Sequence, residues 1–163
     1  MGIIASIRIT LAGMKDVHTV ADIVSLAYKD SQEKFKPSLN KIPEWLEWWN
    51  SLAIPQVDDH KSFISKEMTY LIYLDNDIIG TFRLEHHDNI TDLDDFCILP
   101  QFHNKGYGSY TLQLIEKMHD VCCIELATPY FCSANRYLYE KAGYKQTGTR
   151  SNETVICYRK ELA

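Results

Sequence analysis

The chain has 163 residues, 45% of them hydrophobic and 24% charged, which suits one globular domain over 1–163 with a single sizeable core. A net charge of −5 and a pI near 5.6 argue against nucleic acid as a partner and favour a cationic one. No apolar run approaches the roughly 20 residues of a membrane helix, and the five cysteines, with no C-x-x-C pair, suggest neither a disulfide framework nor a metal site, so a reducing cytoplasm is expected.

In residues 3–11, Ile3, Ala5, Ile7, Ile9 and Leu11 alternate with Ile4, Ser6, Arg8 and Thr10, the period-two pattern of a strand. The start M-G-I-I-A-S also fits the loose N-myristoylation pattern, but the same residues serve the strand. Gly13 breaks the pattern and Asp16 can cap a helix. Val20, Ile23, Val24 and Ala27 recur at helical spacing, which predicts a helix over 17–28. Residues 35–57 are the least regular stretch, where Pro37, Pro43 and Pro55 flank E-W-L-E-W-W-N. Trp45, Leu46, Trp48 and Trp49 there either pack on the sheet or form an aromatic lid over an acceptor, with Trp45 and Trp49 as substrate-binding candidates.

A short helix or loop is expected over 61–67, then T-Y-L-I-Y-L as a strand, D-N-D as a turn and I-I-G-T-F-R-L-E-H-H as its hairpin partner. Asp88 and Asn89 turn the chain into a further strand over 90–99. Residues 122–127 read as a short buried strand and T-P-Y-F-C as a loop. A helix over 134–141 should end in a left-handed cap at Gly143. Strands over 144–150 and 154–160 close a hairpin whose free edge would allow a homodimer. The order β, α, β-β-β, α, β, α, β-β is a mixed α/β layer arrangement.

One stretch carries chemistry. Phe96, Cys97, Ile98 and Leu99 form an apolar β run stopped by Pro100, a polar turn carries Gly106 and Gly108, and Leu112, Ile115 and Met118 follow at helical spacing. Strand, glycine turn and helix point free backbone N–H groups and a positive dipole end at an anion. Glycine removes Cβ atoms where a phosphate must approach, and Lys105 adds a mobile positive charge. G-x-x-x-x-G-K-[ST] is absent, and Thr111 stands where a dinucleotide fingerprint needs its third glycine.

Ile98-Leu99-Pro100 followed by His103-Asn104-Lys105-Gly106-Tyr107-Gly108 resembles the V-x-P…[Q/R]-x-x-G-x-[G/A] motif of the GNAT superfamily of acyl-CoA N-acyltransferases, in its small bacterial form. His103 replaces the family's Gln or Arg, a position expected to act through its backbone amide. Asn135-Arg136-Tyr137-Leu138-Tyr139-Glu140-Lys141-Ala142-Gly143-Tyr144 is similar to the second GNAT motif, with Cys132 at the usual asparagine and Asn135 facing the same way. The resemblance implies a central, mostly antiparallel sheet flanked by helices, splayed between its fourth and fifth strands to admit acetyl-CoA. Coenzyme A would then lie against Phe96, Cys97, Ile98, His103, Asn104, Lys105, Gly106, Tyr107, Gly108, Ser109, Asn135 and Tyr139.

The resemblance also implies that Tyr139 is a general acid, since a phenol can protonate a departing thiolate. The amine must lose a proton, and Glu85, His86, His87, Asp92, Asp94 and Asp95 are the candidate groups. Asp94 leads as base or substrate anchor, with Glu85 as alternative base and Asp92 as a second anchor. A backbone N–H near 96–98 would polarise the thioester carbonyl, and Cys97 reads as core, which favours direct attack. The expectation is an N-acetyltransferase for a small-molecule or peptide amine. The alternatives are a non-catalytic acyl-CoA sensor, another acyl donor, and a protein N-acetyltransferase.

Overall fold

The structure, a computed structural model, describes residues 6–118 and 120–162. The strands are β1 (Ile7–Leu11), β2 (Thr69–Leu74), β3 (Asp77–His87), β4 (Ile90–Ile98), β5 (Cys123–Pro129), β6 (Lys145–Arg150) and β7 (Val155–Glu161). The helices are α1 (Val17–Lys34), α2 (Lys36–Leu39), α3 (Pro43–Leu52), α4 (Val57–Ser65), α5 (Tyr107–Glu116) and α6 (Ser133–Lys141). The start of the predicted first strand and the M-G sequence lie outside the described residues.

One seven-stranded sheet runs β1-β2-β3-β4-β5-β7-β6, in which β4 and β5 are parallel and the other described neighbours antiparallel. Strand alternation sends Leu71 to the face covered by α1 and α4, and its neighbour Ile72 to the opposite face, which α5 covers. There Leu112 and Ile115 are wholly buried, at roughly 1.5–3 kcal/mol each. Membership of both faces by β2 and β3 explains why these strands read as nearly continuous apolar runs.

Three elements are longer than the periodicity predicted. α1 runs on through Lys29 to Lys34, where the sequence turns polar. Tertiary contact supports the extension: Trp49 donates its indole N–H to Tyr28 O (3.0 Å), and Lys34 pairs with Asp30 one turn back (2.7 Å). α4 begins at Val57, in the stretch that Pro55 made look irregular. β5 continues through Thr128 and Pro129, which were expected in a loop, because β7 pairs with it as far as Pro129 opposite Val155. Tyr130 N–H points to β7 (2.9 Å to Thr154 O), so by alternation the missing N–H of Pro129 falls on the side away from β7. β4 has left that side.

Candidate active site

β4 and β5 pair only at Thr91 with Ile124 and at Asp92 with Glu125. Beyond these residues the two strands part, while β5 stays zipped to β7. Main-chain groups of β4 from Leu93 onward therefore lack a β5 partner. β4 also carries a bulge: Thr81 pairs with Cys97 and Arg83 with Asp94, so Phe82 alone faces Asp95 and Phe96. Asp95 sits at φ +48°, the left-handed region. An unbroken strand would alternate its side chains between two faces, whereas all of residues 93–97 contribute to the wall of one cavity of about 910 Å³.

That cavity gathers residues from distant parts of the chain: Tyr28 of α1, Trp45, Trp48 and Trp49 of α3, Asp94 and Cys97 of β4, and Asn135 and Tyr139 of α6. Trp49 is 4% exposed and Trp48 46%. Trp49 packs with Leu39, Phe131 and Cys132 and so pins α3 to the loop before α6, while Trp45, Trp48 and part of Trp49 line the cavity. Trp49 does not pack on the sheet, one of the two alternatives for the tryptophans: its partners are Tyr28, Leu39, Phe131 and Cys132, and it also borders the cavity.

Tyr139 is buried against Tyr144 and Tyr158. The hydroxyls of Tyr144 and Tyr158 reach Glu116 and Glu140, whereas that of Tyr139 has no protein partner among the described residues. Burial raises the Tyr139 phenol well above the ordinary tyrosine range, with Cys132, Cys97 and Asp94 pushing the same way. α6 ends in a Schellman arrangement at Gly143 (φ +95°), with Gly143 N–H to Glu140 O (3.1 Å) and Tyr144 N–H to Tyr139 O (3.0 Å).

The sequence-predicted anion cradle does not line this cavity but follows the end of β4 and packs near Leu138 of α6. Asn104 (φ +59°) and Gly106 (φ +83°) are left-handed, and α5 starts directly after them with no side-chain cap. The amides of Tyr107, Gly108 and Ser109 are thus first-turn donors without an acceptor inside the helix. A Cβ on Gly106 would meet no protein atom within 4 Å, and one on Gly108 would lie 3.6 Å from Leu138, the neighbour of Tyr139. His103 works differently from the sequence expectation. Its amide is taken by Pro100 O (3.1 Å), while its Nε2 donates to Ile98 O (2.6 Å), which tethers the cradle to the end of β4. A carbonyl only accepts, so Nδ1 is the bare nitrogen that faces Lys34 Nζ at 3.4 Å.

Other site candidates fall as follows. Asn135 Nδ2 donates to Thr128 Oγ1 (3.3 Å) at the cavity wall. Ile98 is core. Cys97 is half-buried in the cavity wall, and desolvation raises its thiol far above the ordinary range; Cys132 is pushed up to about 12 by burial. Asp94 is raised by burial against the opposing pull of Arg83. Glu85 and Asp92 do not reach the cavity wall: they sit nearer the β3–β4 turn, within 3.6 and 3.3 Å of His87. Sequence reasoning missed Tyr28 and Arg83. A lone arginine between Phe82 and Leu84 in a buried strand was the available signal for the second. Among the described residues, no cluster of three or more His, Cys, Asp or Glu could hold a metal ion, and no helix is long and apolar enough to cross a membrane.

The model for the acetyltransferase (GNAT) domain matches residues 65–146, just over half of the chain, and that span holds β4, the cradle and Tyr139. The chain belongs to the GNAT acetyltransferases. It is an acyltransferase with the GNAT fold, as the two sequence motifs implied. The GNAT fold recurs in a PaiA N-acetyltransferase from Thermoplasma acidophilum solved with coenzyme A, at a TM-score of 0.79 and 17% identity over 96% of this chain and 99% of the other. A GNAT-family acetyltransferase from Streptococcus agalactiae gives 0.77 and 15% over 96% of each chain. The ribosomal-protein-S18-alanine N-acetyltransferase from Escherichia coli gives 0.67 and 14% over 97% and 95%. No curated protein matches the sequence.

Proposed function

We propose that this GNAT protein is an N-acetyltransferase that moves the acetyl group of acetyl-CoA directly to the primary amine of a small molecule or peptide, in the cytoplasm. One observation carries the reading: the Tyr139 phenol, without a protein partner among the described residues, lines a cavity opened where two strands part, and an uncapped helix N-terminus follows the end of one of them. The residues fit coenzyme A. The uncapped amides of 107–109, the left-handed turn at Asn104 and Gly106 and the open space over Gly106 suit a diphosphate. The unpaired edge of β4 suits an amide-bearing arm added like a strand. When bound, the cofactor supplies a thioester, an acyl group on a good leaving thiol.

Tyr139 holds its proton throughout the working range because burial raises its phenol, so it is ready to protonate a leaving thiolate. A main-chain N–H of the bulged strand near Phe96 would polarise the acyl carbonyl. Asp94 holds the amine and accepts its proton; a carboxyl raised by burial is a better base than an exposed one. Trp45, Trp48 and Tyr28 exclude water and offer ring faces to a cation. Cys97 takes no covalent part, since its desolvated thiol stays protonated. Net charge −5 favours the approach of a cationic amine.

The test is thiol release from acetyl-CoA in the presence of a panel of amines and short peptides, beside thermal shift with acetyl-CoA. Acceptor-dependent release and a raised melting temperature are expected. A shift without release for any amine would leave a sensor, and neither effect would sink both the cradle and the enzyme.

A further inference from the structure

We infer that Arg83 is a positioning residue for acetyl transfer: shared between Asp95 and Asp94, its guanidinium holds the β4 bulge that aims Asp94 at the acceptor. The inference rests on the transfer reading above and adds a part of its machinery.

Arg83 Nη1 lies 2.8 Å from Asp95 Oδ2, and Nη2 lies 3.7 Å from Asp94 Oδ2. The two carboxylates are consecutive, and they straddle the start of the bulge. A left-handed bulge residue is ordinarily glycine. Here it is Asp95 at φ +48°, and what a Cβ costs in that conformation the ion pair can offset. The arginine side chain is 17% exposed, and its Cζ lies over the Phe63 ring of α4, 3.8 Å from its centroid. It is therefore clamped between a helix and a strand rather than free to follow a moving loop. A lysine could match the charge but not the fork that spans two carboxylates.

The location ties this clamp to the reaction. β4 leaves β5 after Asp92, and the bulge comes within three residues of that parting. Without the bulge, alternation would turn successive residues of β4 to opposite faces, and the cavity wall would lose part of 93–97. The groups facing the guanidinium come from every packed element: Asp94 and Asp95 of β4, Tyr28 of α1 and His60 of α4. Burial lowers His60 below the ordinary histidine range, so it stays neutral and does not compete as a second cation for Asp95. Arg83 is then the positive charge that opposes burial at Asp94. It sets both where that carboxylate points and how readily it ionises. Arg83 Nε and Thr69 Oγ1 are buried with no protein partner among the described residues, and both residues line a separate cavity of about 10 Å³, space for one water molecule.

Four variants test this: Arg83→Gln, Arg83→Lys, Asp95→Asn and Asp95→Gly. Each is measured for melting temperature, for kcat and KM, and for the pH profile of kcat/KM. Asp95→Gly keeps the left-handed backbone and removes only the pair, so it separates the two roles. It is expected to fold, to keep the KM for acetyl-CoA within twofold, and to lose at least tenfold in kcat. Arg83→Lys should recover part of what Arg83→Gln loses. The acidic limb of kcat/KM should move to higher pH in Arg83→Gln, where a cation beside Asp94 is gone, and to lower pH in Asp95→Gly, where an anion is gone. A purely structural residue would not split the limb in opposite directions. Wild-type kcat and an unmoved limb in Asp95→Gly would overturn the inference even if Arg83→Gln failed to fold. A wild-type protein that released no thiol with any amine would instead overturn the transfer reading, and this inference with it.

Discussion

Replacing Tyr139 with phenylalanine removes one oxygen atom from the centre of the proposed site. That oxygen has no protein hydrogen-bond partner among the described residues, so its loss strands no donor or acceptor, and stability should change by less than about 1 kcal/mol. The ring keeps its contacts with Tyr144 and Tyr158 at centroid distances of 5.9 and 6.1 Å. Binding of acetyl-CoA should be equally untouched, because the cradle residues 103–109 lie on a separate turn and the first turn of α5. Turnover should fall by roughly 10²- to 10⁴-fold, the usual contribution of a placed general acid. The assay is steady-state thiol release across the pH range, with melting temperature as the stability control and Tyr137→Phe, whose side chain is 67% exposed, as the mock substitution. Because burial holds the Tyr139 phenol above its ordinary value, the wild-type enzyme should show no alkaline limb from this group up to about pH 10. Wild-type turnover in Tyr139→Phe, at any pH, would remove the phenol from the mechanism.

Gly106→Val should lower affinity for coenzyme A at least tenfold, about 1.4 kcal/mol, by calorimetry. The new Cβ meets no protein atom within 4 Å, so the fold itself loses mainly the 1–2 kcal/mol or so of left-handed strain, and unaltered affinity would move the cradle elsewhere. Trp49→Ala should cost about 3–5 kcal/mol by denaturant melts, since Trp49 is 4% exposed. Trp48→Ala, at 46% exposure, should leave stability nearly unchanged and raise the acceptor's KM; the reverse pattern would discard the aromatic wall. Burial raises the phenols of Tyr28, Tyr139 and Tyr144, so above about pH 10 the folded protein holds protons that the unfolded chain releases. Stability is then full below pH 10 and falls as pH rises beyond it, by up to roughly 4 kcal/mol per pH unit for three groups. Tyrosinate absorbance rising before unfolding beyond what the other seven tyrosines can supply would contradict that burial.

How legible the site was depends on the range of the interaction. The glycine turn was readable because Gly106 needs its left-handed φ for local reasons, and the helix that follows it has its own apolar period. Gly143 was readable for the same reason. His103 was misjudged because a sequence shows that an amide exists but not that Pro100 O already holds it. Alternation put Asp92 on the same face as Asp94, so the sequence ranked Asp94 first but kept Asp92 and Glu85 as alternatives. The parting of β4 from β5 after Asp92 puts Asp94 in the cavity wall and leaves the other two outside it.

By itself the sequence determined the element order, the anion-ready turn and the motif around Tyr139, since each rests on contacts within a few residues along the chain. The tertiary structure alone decided that β4 bulges and leaves its neighbour, that Trp49 is core while Trp48 is wall, and that Arg83 grips two adjacent carboxylates. These depend on partners 11 to 82 residues apart, from Arg83 to Asp94 and from Trp49 to Phe131. No local pattern encodes such a distance; only the packing of helices on the sheet does.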